Sequence, residues 1–286
     1  MRRNSLLVLA ILLGLFFSTQ GFAASPPRTF AEERFAINVG ALFAQDIETT
    51  LALRGTDGMG DSIALEDLFG FSDNETVPFV NGWWRFGSSR KHRLIVGWSA
   101  IDRDSSATIM DEIEIGDTIF PVNARVDVLF DAELLEFAYA YSFVLSDKTE
   151  FAGLIGLHWF TYDFGIRITD LSSKAPIGAK GSVGVSESGR VDGPFPNFGL
   201  ELRHAFTPNF RGQATIRYFD IEISDYDGSI TDFAIGATYQ FSRTFGLALD
   251  WAWFEMEGGI NSGDWRGSLN YKFNGPVLTA NFNFGN

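Results

Sequence analysis

After its first two dozen residues the chain is dominated by period-two alternation. Phe35, Ile37, Val39, Ala41 and Phe43 alternate with Ala36, Asn38, Gly40 and Leu42. Leu135, Phe137, Tyr139, Tyr141 and Phe143 alternate with Glu136, Ala138, Ala140 and Ser142, and the same rhythm runs through Phe210–Tyr218, Phe233–Phe241 and Phe245–Trp253. Successive side chains of a strand point to opposite faces, so this pattern predicts strands with one apolar face. The apolar faces end in aromatics, while the opposite faces mix small and charged residues. A lipid-facing band with aromatic girdles around a polar lumen accounts for that pattern better than a soluble sandwich does. Connections alternate in length. Those at Ser88-Ser89-Arg90, Ser146-Asp147-Lys148, Thr207-Pro208 and Ser242-Arg243 are tight, whereas 55–74, 105–121 and 171–193 are long and rich in Asp, Ser and Gly. Short periplasmic turns and long outer loops predict an all-β, up-and-down antiparallel transmembrane barrel over residues 34–284.

Composition narrows the function classes. The chain has 286 residues, 29 Phe, 30 Gly and no Cys, which excludes disulfide frameworks and thiolate metal sites. A net charge of −14 argues against nucleic-acid binding, which needs a surplus of Lys and Arg. Arg2-Arg3, the apolar run from Leu6 to Phe17 and the small residues flanking Phe22 read as a secretory signal peptide over residues 1–23. Residues 24–33 then form a periplasmic lead-in.

Strands running toward the periplasm finish with an aromatic, one residue and Phe: Trp84-x-Phe86, Tyr141-x-Phe143, Tyr239-x-Phe241 and finally Phe282-x-Phe284. In this the chain resembles Gram-negative outer-membrane β-barrel proteins, and in particular small porin-like barrels that carry no assigned chemistry. It departs from them in ending Gly285-Asn286 after the last Phe. The resemblance implies residence in the cell outer membrane, contact with its lipids and lipopolysaccharide, and recognition of the last strand by the barrel-assembly machinery. It names neither substrate nor oligomeric state.

Nine segments read as strands: 34–54, 75–88, 91–115, 122–145, 149–170, 194–206, 209–223, 229–242 and 244–260. The remainder, 264–284, is expected to be a single tenth strand, because bacterial barrels have even strand numbers. Segments 105–115 and 122–130 are read as a hairpin beyond the lipid; if they span it instead, the count is twelve. A hairpin turning at Asn261-Ser262-Gly263 would set Trp253 and Trp251 against Tyr271 and Phe273 in an outer girdle. The apolar set of the last strand changes from odd (Leu269, Tyr271, Phe273) to even (Leu278, Phe282, Phe284) numbers. A one-residue slip swaps faces, so a β-bulge is expected at Asn274-Gly275-Pro276.

The inward faces offer a polar lumen set: Arg85, Glu136, His158, Glu201, Arg203, Arg211, Arg217, Asp232, Asp250, Arg266 and Lys272. Of the three histidines, His158 alone is expected to point inward from mid-strand. Spacing places no Ser or Asp beside it, so it reads as a hydrogen-bonded lumen residue. No catalytic residue, metal ligand or cofactor site is expected. Barrels near eight strands are filled by side chains, which favours a closed or very narrow lumen. The expected function is therefore structural or surface-interacting, or narrow passive solute passage. The alternative is an outer-membrane lipid or peptide hydrolase with a rim site. The acidic loops read as solvated faces, and Leu65–Phe71 as an apolar patch that tucks over the mouth or marks a partner site.

Overall fold

The computed structural model describes residues 26–54, 61–115, 118–171, 183–223, 226–262 and 265–285. The signal-peptide segment, parts of the long outer loops and the side chain of Arg266 lie outside the described residues. Ten long antiparallel strands close a ring: β1 (Glu33–Arg54), β3 (Glu75–Phe86), β4 (His92–Thr108), β7 (Ala124–Leu145), β8 (Thr149–Leu171), β9 (Ser186–Ala205), β10 (Phe210–Ile223), β11 (Tyr226–Gln240), β12 (Phe245–Ser262) and β13 (Trp265–Gly285). Pairing of β13 with β1 completes the closure. The 105–130 region is the projecting hairpin expected above, with a two-stranded tip of β5 (Ile113–Ile115) and β6 (Thr118–Phe120). Between β1 and β3, β2 (Ser62–Ala64) pairs alongside β1, and α1 (Leu65–Phe69) ends at Gly70, whose φ of 65° is the left-handed conformation favoured at a helix C-terminus. β9 begins at Ser186, eight residues before the expected start at 194.

The last strand is continuous, and its register corrects the expected one. Ser262 pairs with Trp265, so Trp253 faces Asn274 and Trp251 faces Pro276, while Phe254 faces Phe273 and Met256 faces Tyr271. Relative to the expected hairpin every pair has moved by three positions. An odd shift turns the aromatics of one strand to the other face. Tyr271 is 5% exposed and packs inside the barrel against Phe130, Tyr162, Phe254 and Phe273. Tyr271 and Phe273 are therefore interior residues, and no outer girdle includes them. Lys272 points outward to Glu48. β13 carries no bulge, since its pairing with β12 is unbroken. The extra residue lies across the seam in β1, between Gln45 and Glu48, where Asp46 adopts φ 50° and Ile47 donates its N–H to the Asp73 carbonyl.

The parity change thus marks a change of solvent. On β12 the outward residues are Leu247, Leu249, Trp251 and Trp253, exposed to lipid, and then Glu257. Phe245 to Trp253 spans roughly 20 Å along a tilted strand, which with the ring lengths matches the ~25 Å apolar band. Above that level the outward face turns polar and the inward face apolar. In β7 the switch separates outward Leu135 and Phe137 from inward Val126, Val128 and Phe130; in β8 it separates outward Ile155 and Trp159 from inward Tyr162, Phe164, Ile166 and Ile168. Outside, Asp102, Asp131, Asp163 and Arg190 stand side by side on neighbouring strands.

The ring also splits, from the outer boundary of the apolar band upward, where Val80 and Trp98 are the last large outward apolar residues of β3 and β4. β3 pairs with β4 only as far as Phe79–Ser99, and β9 with β10 only as far as Phe198–Tyr218. Beyond those points β4, β7, β8 and β9 form one sheet and β10 to β13 with β1 form another. Their inner faces meet in a core where Phe130 and Phe160 flank Tyr162, and Tyr162 donates its O–H to Met256 Sδ at 3.4 Å. Phe195 reaches from β9 over Gly228 and Gly258, where a Cβ would stand 3.1 and 3.2 Å from its ring. Leu65, Phe69 and Phe71 bury themselves in the same core, so the loop patch tucks into the mouth.

Two tests follow from this arrangement. In a chain without cysteine, Lys272→Cys should label rapidly with a membrane-impermeant maleimide, and Tyr271→Cys should resist labelling until the barrel is unfolded. Burial pushes the Tyr271 phenol up to about 12, against about 10 for a free tyrosine. Because the raised pKa belongs to the folded state, its stabilising contribution is intact below pH ~10 and is lost as pH rises from there through 12. Stability measured by urea unfolding should fall across that window, and less steeply in Tyr271→Phe.

Candidate functional site: the closed lumen

The periplasmic half of the lumen is built from inward charges. Glu150, fully buried beside the β7–β8 turn, accepts two hydrogen bonds from Arg85 at 2.9 and 3.0 Å, one from Arg203 at 3.0 Å and one from Ser142 at 2.5 Å. Arg93 lies 3.3 Å from the same carboxylate and 2.6 Å from Glu201. Glu33 bridges Arg203 at 2.9 Å and Arg211 at 2.5 Å. Higher up, Arg217 joins Glu136 at 2.6 Å and Asp232 at 3.1 Å. Five arginines thus face five carboxylates in these pairs. Buried charges are tolerated only when paired and hydrogen-bonded, and the strands supply that pairing by presenting opposite signs at matching heights.

The lead-in closes the periplasmic end. Phe30, 1% exposed, is inserted between the guanidinium groups of Arg203 and Arg211, 4.5 and 4.8 Å from its ring centre. Arg28 donates to the carbonyls of Arg243, Asn283 and Gly285, which ties the segment to the barrel's last turn and its C-terminal strand. Arg90 donates to the Ala31 carbonyl from the opposite side.

Two cavities remain inside. The lower one, about 280 Å³, is polar and bounded by Phe30, Asn38, Gln213, Thr238, Asp250 and Asn281. The upper one, about 290 Å³, is mostly apolar and ends against the aromatic rings of Phe160, Tyr162, Phe254 and Tyr271. Phe79, Asn81, Glu136, Arg217 and Val277 line both, so the two adjoin at that height.

Of the residues expected in the lumen, Arg85, Glu136, Glu201, Arg203, Arg211, Arg217 and Asp232 take part in the ion pairs, and Asp250 accepts from Gln213 at 2.6 Å. His158 is 2% exposed, with Arg217 as its neighbour at 3.4 Å. The alternation analysis missed Glu33, Arg93 and Glu150. Arg93 shares parity with inward Ile95 and stands opposite lipid-facing Leu94 and Val96, a signal present in the sequence. Glu33 was assigned to the lead-in, and Glu150 lies too close to a turn for its parity to stand out. At the periplasmic boundary, outward aromatics form runs of contacts: Trp84–Phe86, Tyr141–Phe143, and Tyr239–Phe241–Phe245–Phe282, with Phe284 against Phe35.

Removing the central acceptor leaves three arginines short of a partner. Glu150→Gln should lower folding stability in lipid by about 3–5 kcal/mol, whereas Asp163→Asn, which breaks the exposed 3.4 Å pair with Arg190, should cost under ~1 kcal/mol; urea unfolding of both variants gives the comparison.

No protein-family model and no curated protein matches the sequence. Solved structures do resemble the fold. The outer membrane protease OmpT from Escherichia coli superposes with a TM-score of 0.58 at 12% identity, covering 93% of this chain and 99% of that one. The attachment invasion locus protein Ail of Yersinia pestis gives 0.35 at 11% identity over 88% and 99% of the two chains, and the Pseudomonas putida toluene transporter TodX gives 0.37 at 10% over 90% and 92%. At such identities the first likeness speaks for the fold alone. With its closed ring of antiparallel strands and its apolar outer band, this chain has the fold of the outer-membrane β-barrel proteins.

Proposed function

We propose that this protein is a non-conducting outer-membrane barrel that holds a rigid two-sheet extension at the cell surface for contacts there, and that it performs no catalysis. The supporting observation is the aromatic core in which Phe130, Tyr162 and Phe160 of one sheet meet Tyr271, Phe254 and Met256 of the other across the lumen. Together with Phe30 packed at the periplasmic end, it supports the reading of a lumen without an open path. A core of this kind also fixes the two sheets against each other, as a surface that recognises partners requires.

Export by the N-terminal signal and insertion through the Phe282-x-Phe284 ending complete this reading. A hydrolase is disfavoured by where the histidines stand. The chain has three, of which His92 and His204 lie at the periplasmic end and His158 inside the lumen, so none is at the extracellular rim.

Planar-bilayer recording of the refolded protein tests the proposal. The expected trace is flat at physiological salt; stable unitary openings would establish solute passage instead. Lipid or peptide hydrolysis that disappears in His158→Ala would establish the enzyme.

A further inference from the structure

The upper cavity reaches the wall of the barrel. Its lining includes inward residues such as Phe160, Tyr162 and Phe273, and also Val80, Trp98 and Glu133, which face outward. The wall is interrupted at this height. β3–β4 pairing stops at Phe79–Ser99, and the next inward positions, Val77 and Ile101, are unpaired across the seam yet both line the cavity. Above the gap Arg103 holds the α1 segment in place by donating to Glu66 and to the Ser72 carbonyl. The opening is therefore a lateral slot, framed by paired strands below and a tethered loop above. Trp98 stands beside it with its indole N–H donated to Glu133, the geometry of a residue at the lipid–water boundary.

The floor is polar. Arg217 can only donate, so the 3.4 Å contact makes His158 Nε2 the acceptor and places the ring proton on Nδ1. That Nδ1 is buried and has no partner among the described residues. Around it Arg217, Glu136 and Asp232 sum to one negative charge.

We infer that the cavity is a binding site for a small, uncharged, largely aromatic molecule, which enters from the outer leaflet through the β3–β4 slot. The volume of about 290 Å³ exceeds the ~150 Å³ that suffices for benzene and falls at the lower end of small-ligand pockets, roughly 300–1,000 Å³. Aromatic walls suit a flat apolar body. The surplus negative charge of Glu136 and Asp232 over Arg217 at the floor rejects a carboxylate.

The test uses the full protein in phosphatidylcholine vesicles, with equilibrium dialysis of 1-naphthol, naphthalene and 1-naphthoate against protein-free vesicles. Expected is saturable binding of 1-naphthol and of naphthalene near one per chain, and no saturable 1-naphthoate. Ala132→Phe and Ala252→Phe, which fill the cavity from opposite walls, should each weaken naphthol binding by at least ~10-fold while keeping the heat-modifiable gel migration of a folded barrel. Ala100→Trp, at the slot, should slow association. Naphthol uptake no greater than in bare vesicles overturns the site, as does a folded filling variant that binds like the wild type. Preference for the naphthoate overturns the assigned chemistry, and an unchanged association rate in Ala100→Trp overturns entry from the lipid.

Discussion

One constraint organises the whole molecule: each strand is longer than the membrane is thick. A strand that leaves lipid for water must change its outward face from apolar to polar. Once the outer face is polar, the only place to bury apolar surface is within. The lumen therefore inverts along its length, from arginine–glutamate pairs in the lower half to a phenylalanine and tyrosine core above. The inversion falls at the same height in β7, β8, β12 and β13, which makes it a property of the surrounding solvent and not of any one strand.

Below the inversion the inward charges are buried and satisfy one another; Glu150 does so by gathering Arg85, Arg93 and Arg203 around one carboxylate. Pairing of this kind confers position more than net stability, because desolvation offsets much of the Coulombic gain. Here the position gained is that of Phe30, held between Arg203 and Arg211, so the charge network and the periplasmic plug are a single structure.

The architecture was legible in the sequence because strand alternation and the contrast of short and long connections are local signals. They located all ten strands and the projecting hairpin. What alternation could not supply was the meaning of its own interruption. Taking the parity change near Asn274 for an inserted residue assumes that apolar means outward throughout, and that assumption fails where lipid ends. The same strands carried the correction: Val126, Val128 and Phe130 change parity against Leu135 and Phe137 with no Gly or Pro between them to suggest a bulge. The site was less legible. Arg93 could have been found by parity, but the convergence of Glu33 and Glu150 on one set of arginines depends on which strands lie opposite each other across the ring, and that information is not local.

Splitting into two sheets has a further consequence for the wall. A closed barrel has no edges, and every backbone group in its wall is paired. Where β3 leaves β4, that protection ends on one side of the ring, and it ends again where β9 leaves β10. The second seam is covered from within by Phe195, whose ring lies over Gly228 and Gly258. The first is covered above by the loop that Arg103 tethers, and below that loop Val77 and Ile101 line the cavity from either side of the gap. Of the two seams produced by the same geometric necessity, it is this one that joins an apolar interior to the surface.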